Sequence, residues 1–184
     1  LNHVRYAVEG LDIKVIVYQR ANAVFTPETA TALLDLDQVI GLKDGVGDLD
    51  ALLRIVTAVR ASGHERAAAF RFLNGMPTAE LSAPAFLGIG VPLYSSAVHC
   101  FAPDIAHAYH KALHSGDQET LTRLLTGFFI PYAELRDAVP GYAVALVKAG
   151  AGLGSVRPPL VDALPEHVAR LAEITEAGRK ALNP

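Results

Sequence analysis

Short apolar runs alternate with segments whose apolar residues recur every three or four positions, and the alternation repeats four times. Ile13–Tyr18 (IKVIVY) is rich in β-branched residues and predicts a strand. Thr26-Pro27-Glu28 then signals a helix start, with Thr26 as N-cap and Pro27 at the first helical position, and the helix runs to about Leu36. Val39–Lys43 (VIGLK) predicts the second strand. Leu49, Leu52, Leu53, Val56 and Val59 give Asp48–Arg60 helical spacing. The third strand is expected over Ala67–Leu73, with a turn at Asn74-Gly75-Met76-Pro77 and a helix from about Thr78 to Leu87. The fourth is expected over Val91–Ser96, with a loop ending at Pro103.

Beyond Pro103 the pattern is helical throughout. Asp104–His114, Gln118–Val139 with a break near Pro131, Tyr142–Ala151 and Pro165–Leu182 are the expected helices. Strands alternating with helices of this length imply βαβ units and a parallel sheet. Each strand is almost continuously apolar, as expected of strands covered on both faces. Tyr18, Lys43, Asn74 and Ser96 end the four strands and lie 25, 31 and 22 positions apart. A (β/α)8 barrel needs about 30 residues per unit, so the rhythm fits its C-terminal part. An open doubly wound sheet shares the rhythm, but no Gly-rich phosphate fingerprint follows the first strand.

The fold class expected is therefore α/β, the C-terminal part of a (β/α)8 TIM barrel (strands 5–8) followed by a C-terminal helical region. Residues 1–103 form the half-barrel in this reading. Residues 104–184 form the last barrel helix and the C-terminal helices. Half a barrel leaves two sheet edges unpaired, so a preceding portion of about 120 residues is expected.

Composition narrows the class without naming a reaction. The 184 residues are 51% hydrophobic and carry a net charge of −3 with no long basic run, which argues against a nucleic-acid or anionic-membrane partner. Apolar runs are strand-sized, and neither a transmembrane helix nor a secretory signal is predicted, so a cytoplasmic location is expected. Cys100 is the only cysteine, which excludes a disulfide framework and a cysteine-based zinc site.

Barrel active sites lie at the C-terminal ends of the strands, so the residues there are the candidates. Lys43 closes an apolar strand, where burial disfavours its charge and favours the free amine. The free amine can then attack a carbonyl. A lysine reaching solvent from a strand end is the plain alternative. Tyr18 closes the neighbouring strand, about 4.8 Å away in a sheet, and its phenol can relay protons, or it can simply plug the barrel mouth. Arg20 can hold a substrate carboxylate through its planar fork, or lie on the surface. Asn74 and Gly75 end the third strand, and Gly75 lets a ligand approach the backbone. Ser95 and Ser96 end the fourth, and their hydroxyls can bind a polyhydroxy acid. Ordinary turn chemistry is the alternative for all four. His107, His110 and His114 share one helix face and are read as a solvated face, not a metal site. His99 and Cys100 make no nucleophile pair.

VIVYQR (15–20) followed by GLKDGVGD (41–48) resembles the dihydrodipicolinate synthase and N-acetylneuraminate lyase superfamily. Further motifs are KDGVGDLD (43–50), NGMPTAE (74–80), GVPLYSSAV (90–98), FFIPYAELRD (128–137), GYAVALVKAGA (141–151) and VRPPLVD (156–162). Together they resemble its 5-dehydro-4-deoxyglucarate dehydratase family from near Ile13 to the C-terminus. The family's Gly-Thr-Gly-Glu loop belongs to its N-terminal half and is not in this sequence. The stretch between Ala151 and Val156 is shorter than in the family, and Gln19 stands directly after the tyrosine.

The resemblance implies a Schiff-base lyase with Lys43 and Tyr18 as its catalytic pair. It also implies a small sugar-acid (keto acid) substrate, no metal, no organic cofactor, and a homo-oligomer, tetramer or dimer. A pyruvate-dependent aldolase or synthase of the same superfamily shares both residues. A keto-acid-binding relative that has lost catalysis is the reading from a different class.

Overall fold

The computed structural model describes residues 1–139 and 141–182. The expected C-terminal helical region includes residues 140, 183 and 184, which lie outside the described residues. Two compact units divide the chain, Leu1–Ser95 and Ser96–Pro184.

The first unit opens with helix α1 (Asn2–Val8), then strand β1 (Val15–Gln19), helix α2 (Pro27–Ala32) with a 3-10 turn over Leu33–Asp35, and strand β2 (Val39–Asp44). Thr26 caps α2 by accepting from the Thr29 amide at 3.2 Å. Helix α3 (Leu49–Ala61) follows, capped by Asp48, whose carboxylate accepts from the Ala51 amide at 3.0 Å. Strand β3 (Arg71–Asn74), a 3-10 turn (Ala79–Leu81), helix α4 (Ala83–Gly88) and strand β4 (Leu93–Tyr94) complete the unit. The sheet is wholly parallel in the order β1-β2-β3-β4.

Two strands are shorter than their apolar runs. The amides of Ala67, Ala69 and Phe70 bond back to His64 and Arg66, so this stretch turns before β3 begins at Arg71. Pro92 has no amide to give a ladder, and β4 spans only Leu93 and Tyr94. The helix expected over 78–87 is likewise split at Ser82, with Pro84 in its first turn.

Side chains alternate across the sheet, and its two faces differ. Val17, Leu42 and Phe72 are buried at 7%, 0% and 3% exposure, and they join a core with Leu33, Leu52, Ile55, Val56 and Phe86. Burying one such side chain stabilises by about 1.5–3 kcal/mol. On the opposite face Ile16 and Tyr18 are each 40% exposed. In this chain helices cover one face of the sheet, and the other is open along β1.

The second unit begins with a 3-10 turn (Val98–Cys100) and helix α5 (Pro103–Ser115), then α6 (Gln118–Leu124). The break expected near Pro131 is a π-helical turn over Leu125–Phe129 leading into α7 (Ile130–Asp137). Pro131 lacks an amide donor, and the ladder shifts in the turn just before it. Helices α8 (Ala143–Gly150) and α9 (Pro165–Lys180) complete the unit. Its core holds Ile105, Tyr109, Leu124, Phe128, Phe129, Tyr132 and Leu146. The rings of Phe128 and Tyr132 stack at 5.8 Å. No described helix is long and apolar enough to cross a membrane.

Candidate active site

Parallel pairing sets Tyr18 of β1 directly opposite Lys43 of β2, and Lys43 opposite Leu73 of β3. In-register neighbours project from the same face, here the open one. Lys43 is half-buried, and its Nζ lies 4.8 Å from the centre of the Tyr18 ring. That places an amine over the electron-rich face of a phenol, within cation–π range. The Tyr18 hydroxyl donates to the carbonyl oxygen of Gly75 at 3.0 Å. Strands β1 and β2 and the residue that follows β3 therefore meet at one phenol.

Two glycines make room for this arrangement. A Cβ on Gly45 would lie 2.6 Å from the Tyr18 hydroxyl oxygen. A Cβ on Gly75 would lie 2.5 Å from Cε of Lys43 and 2.8 Å from the Asp44 carbonyl oxygen. Neither glycine has a left-handed φ, so what each site lacks is space.

One position further along the strands the side chains point the other way, into the helix-covered face. Gln19, Asp44 and Asn74 pair in register there and are only 3%, 1% and 0% exposed. Gln19 Nε2 donates to Asp44 Oδ1 at 2.6 Å, and the amides of Val46 and Gly47 donate to the same carboxylate at 3.3 and 3.0 Å. Asn74 Nδ2 donates to the Ala79 carbonyl and the Ser82 hydroxyl, while its Oδ1 accepts from the Met76 amide. Asn74 is thus engaged inside its own loop, away from the face that bears Tyr18 and Lys43. This departs from the substrate contact expected of it.

The remaining candidates are more peripheral. Arg20 is exposed, on a tight turn in which its backbone pairs with Ala23 and Ala21 has φ +52°. Ser95 is exposed and its amide donates to the Asn74 carbonyl. Ser96 belongs to the second unit, where its hydroxyl accepts from the Val98 amide at 3.2 Å. Among the described residues no three His, Cys, Asp or Glu side chains are grouped to hold a metal. His107, His110 and His114 are exposed along α5.

Sequence reasoning missed Gly45 and the Gln19–Asp44 pair. The signal was present: each polar residue directly follows a singled-out residue, and both pairs are separated by 25 positions.

The site thus sets an amine and a phenol side by side near the carboxyl ends of adjacent strands of a parallel β/α sheet. The chain belongs to the dihydrodipicolinate synthetase family, whose model matches residues 1–177. Among curated relatives, the probable 5-dehydro-4-deoxyglucarate dehydratase 1 of Streptomyces avermitilis is 51% identical over 183 residues, covering 97% of this chain and 58% of that protein. The protein of the same name from Streptomyces coelicolor is 52% identical over 186 residues, with the same coverage. This chain therefore spans 58% of the length of these relatives. Among solved structures, dihydrodipicolinate synthase from Oceanobacillus iheyensis superposes with a TM-score of 0.80 at 22% identity, covering 97% of this chain and 59% of that one. The Bacillus clausii synthase gives 0.80 at 21%, with the same coverage. At that identity the likeness is one of fold.

Proposed function

We propose that this chain supplies the second half of the barrel of a Schiff-base lyase, its strands being strands 5–8 followed by a C-terminal helical region. The enzyme dehydrates and decarboxylates 5-dehydro-4-deoxy-D-glucarate to 2,5-dioxopentanoate. The observation that carries this reading is the Lys43 amine 4.8 Å from the Tyr18 ring, on adjacent strands in register. The dehydratase names of relatives at about half identity support the choice of substrate.

Lys43 Nζ, as the free amine, adds to the C5 carbonyl. Tyr18 passes protons while the carbinolamine loses water and becomes an imine. The imine acidifies C4, and loss of that proton gives an enamine whose electron pair expels the C3 hydroxyl as water. The new C3=C4 bond conjugates C2 with the imine. Loss of CO2 from C1 then sends its bonding pair through C2 and C3 to the imine nitrogen. Protons return at C3 and C4 as the C2 hydroxyl becomes the aldehyde, and hydrolysis frees Lys43. One water and one CO2 leave per turnover, and the lysine imine is the electron sink.

In this reading Arg20 holds a substrate carboxylate and Gly75 lets the substrate approach the backbone. Ser95 and Ser96 bind its hydroxyls, and Asn74 contributes by shaping the loop that carries Gly75. The working enzyme is a cytoplasmic homo-oligomer, a dimer or tetramer.

Borohydride reduction of the full-length protein with substrate tests the reading. A substrate-derived mass increase on Lys43, absent in Lys43→Ala, is expected. Turnover with Lys43 unlabelled overturns the mechanism.

A further inference from the structure

Gln19 and Asp44 stand one residue beyond Tyr18 and Lys43, on the buried face of the same two strands. A buried carboxylate is costly unless its oxygens are satisfied, and Asp44 is satisfied from two directions. Gln19 reaches across from β1 at 2.6 Å, and the Val46 and Gly47 amides close the following turn upon it. That turn contains Gly45, where any Cβ would strike the Tyr18 phenol. The Gly45 amide also donates to the Gln19 carbonyl at 2.9 Å, and the Gly75 amide to the Asp44 carbonyl at 2.6 Å. Gly45 and Gly75, the two glycines that border the Tyr18 phenol, are therefore both anchored to Gln19 or Asp44.

The polarity of the pair is fixed as well. Gln19 Oε1 accepts from the Phe25 amide at 3.2 Å, so its amide nitrogen is the end that faces Asp44. Every identified partner of the Asp44 side chain is a donor. An amide at position 44 would set N–H against N–H at one of these contacts, and rotating Gln19 to relieve it would forfeit the Phe25 bond.

We propose that Asp44 and Gln19 are positioning residues. Their buried cross-strand bond locks the ends of β1 and β2 at the level where Lys43 meets Tyr18, and seats the 44–47 turn on the phenol. The proposal rests on the Schiff-base reading of Lys43. Neither side chain touches substrate, and their effect is carried by the placement of Tyr18 and Lys43.

The test uses the full-length protein with three variants: Asp44→Asn, the exchanged pair Gln19→Glu with Asp44→Asn, and Lys43→Ala. Displacing reacting groups by about an ångström can cost up to 100-fold in rate. Asp44→Asn is accordingly expected to lower kcat and the rate of borohydride trapping by roughly 10- to 100-fold, with KM changed less than about threefold. In the exchanged pair a carboxylate at position 19 accepts from both Phe25 and the new amide, which restores the cross-strand bond but costs the Val46 amide its acceptor, so part of the loss is recovered. Should Asp44→Asn not fold, Gln19→Met removes the same bond while leaving both loop amides on Asp44, and the same fall in kcat is expected. Unchanged kcat in a folded Asp44→Asn or Gln19→Met overturns the positioning role, as does a loss that the exchanged pair leaves unrecovered. Turnover that survives Lys43→Ala sinks the Schiff-base reading instead, so the two failures are distinguishable.

Discussion

Tyr18 donates its phenolic proton to the carbonyl oxygen of Gly75, 57 positions further along the chain and two strands away. The ring beneath that bond lies against Lys43 Nζ, so one hydrogen bond sets the orientation of the group that faces the amine. The bond also uses the proton that a relay would move. In the proposed mechanism a substrate oxygen would replace this backbone acceptor.

Removing only that oxygen separates the relay from the packing. Tyr18→Phe is expected to lower kcat by about 10²- to 10⁴-fold, the usual worth of a positioned acid–base group. Stability should change by less than about 1.5 kcal/mol, the net worth of one hydrogen bond. Steady-state kinetics with a urea melt checks both, and wild-type kcat in a folded Tyr18→Phe refutes the relay.

Gly45 offers a steric test of the same phenol. In Gly45→Ala the new methyl would sit 2.6 Å from the Tyr18 oxygen, so the ring or the turn must move. Overpacking of this kind costs about 1–3 kcal/mol, and activity should fall with it. Gly88→Ala is the contrast: nothing lies within 4 Å of its Cβ, and the residue ends helix α4. There stability should hold or rise by up to about 1 kcal/mol. Denaturant midpoints of the two variants decide the point.

How far the sequence led depends on what kind of constraint each element obeys. Local signals located β1, β2, the Thr26 cap and the Lys43–Tyr18 pair, because β-branched runs, capping residues and a charged residue after apolar ones are readable within a few positions. Side-chain parity was harder. Whether Asn74 faces the site or the helices turns on a single residue of strand register, and its apolar flanks read the same either way. The lengths of β3 and β4 were equally hidden. Ala67–Phe70 is spent in turns and Pro92 cannot donate, and both outcomes depend on which partner each amide meets. Helix α1 lay in a stretch from which no element was predicted.

Arg66 illustrates a stabilising role that no pattern announces. Its guanidinium donates to the carbonyls of Leu34, Leu36, Asp37 and Val39 at 2.6, 2.9, 3.3 and 2.6 Å, gathering the chain where it enters β2. A lysine ammonium keeps the charge but not the planar fork that spans four acceptors. Arg66→Lys is therefore expected to destabilise the chain by about 2 kcal/mol or more, from carbonyls left unsatisfied. Chemical denaturation measures it, and a midpoint equal to wild type would show that one point charge suffices.

The histidines of the second unit give a pH prediction with a definite sign. On α5 the rings of His110 and His114 are 4.3 Å apart, and His99 of the preceding 3-10 turn lies with its ring 4.9 Å from that of His107. Partial desolvation, followed by the charges of His114, His107 and His99, holds the His110 pKa below its ordinary value. The folded chain thus binds this proton less readily than the unfolded chain, so stability rises with pH through this window. The contribution is intact above the ordinary histidine range, near 6.5, and is lost as pH falls toward the depressed folded value. His114→Gln removes the nearest like charge. It should move the His110 midpoint upward in an NMR titration and flatten the loss of stability between about pH 7 and 5. A midpoint that stays put in His114→Gln would mean that the His114 charge does not depress His110 and that the two neighbouring rings do not communicate.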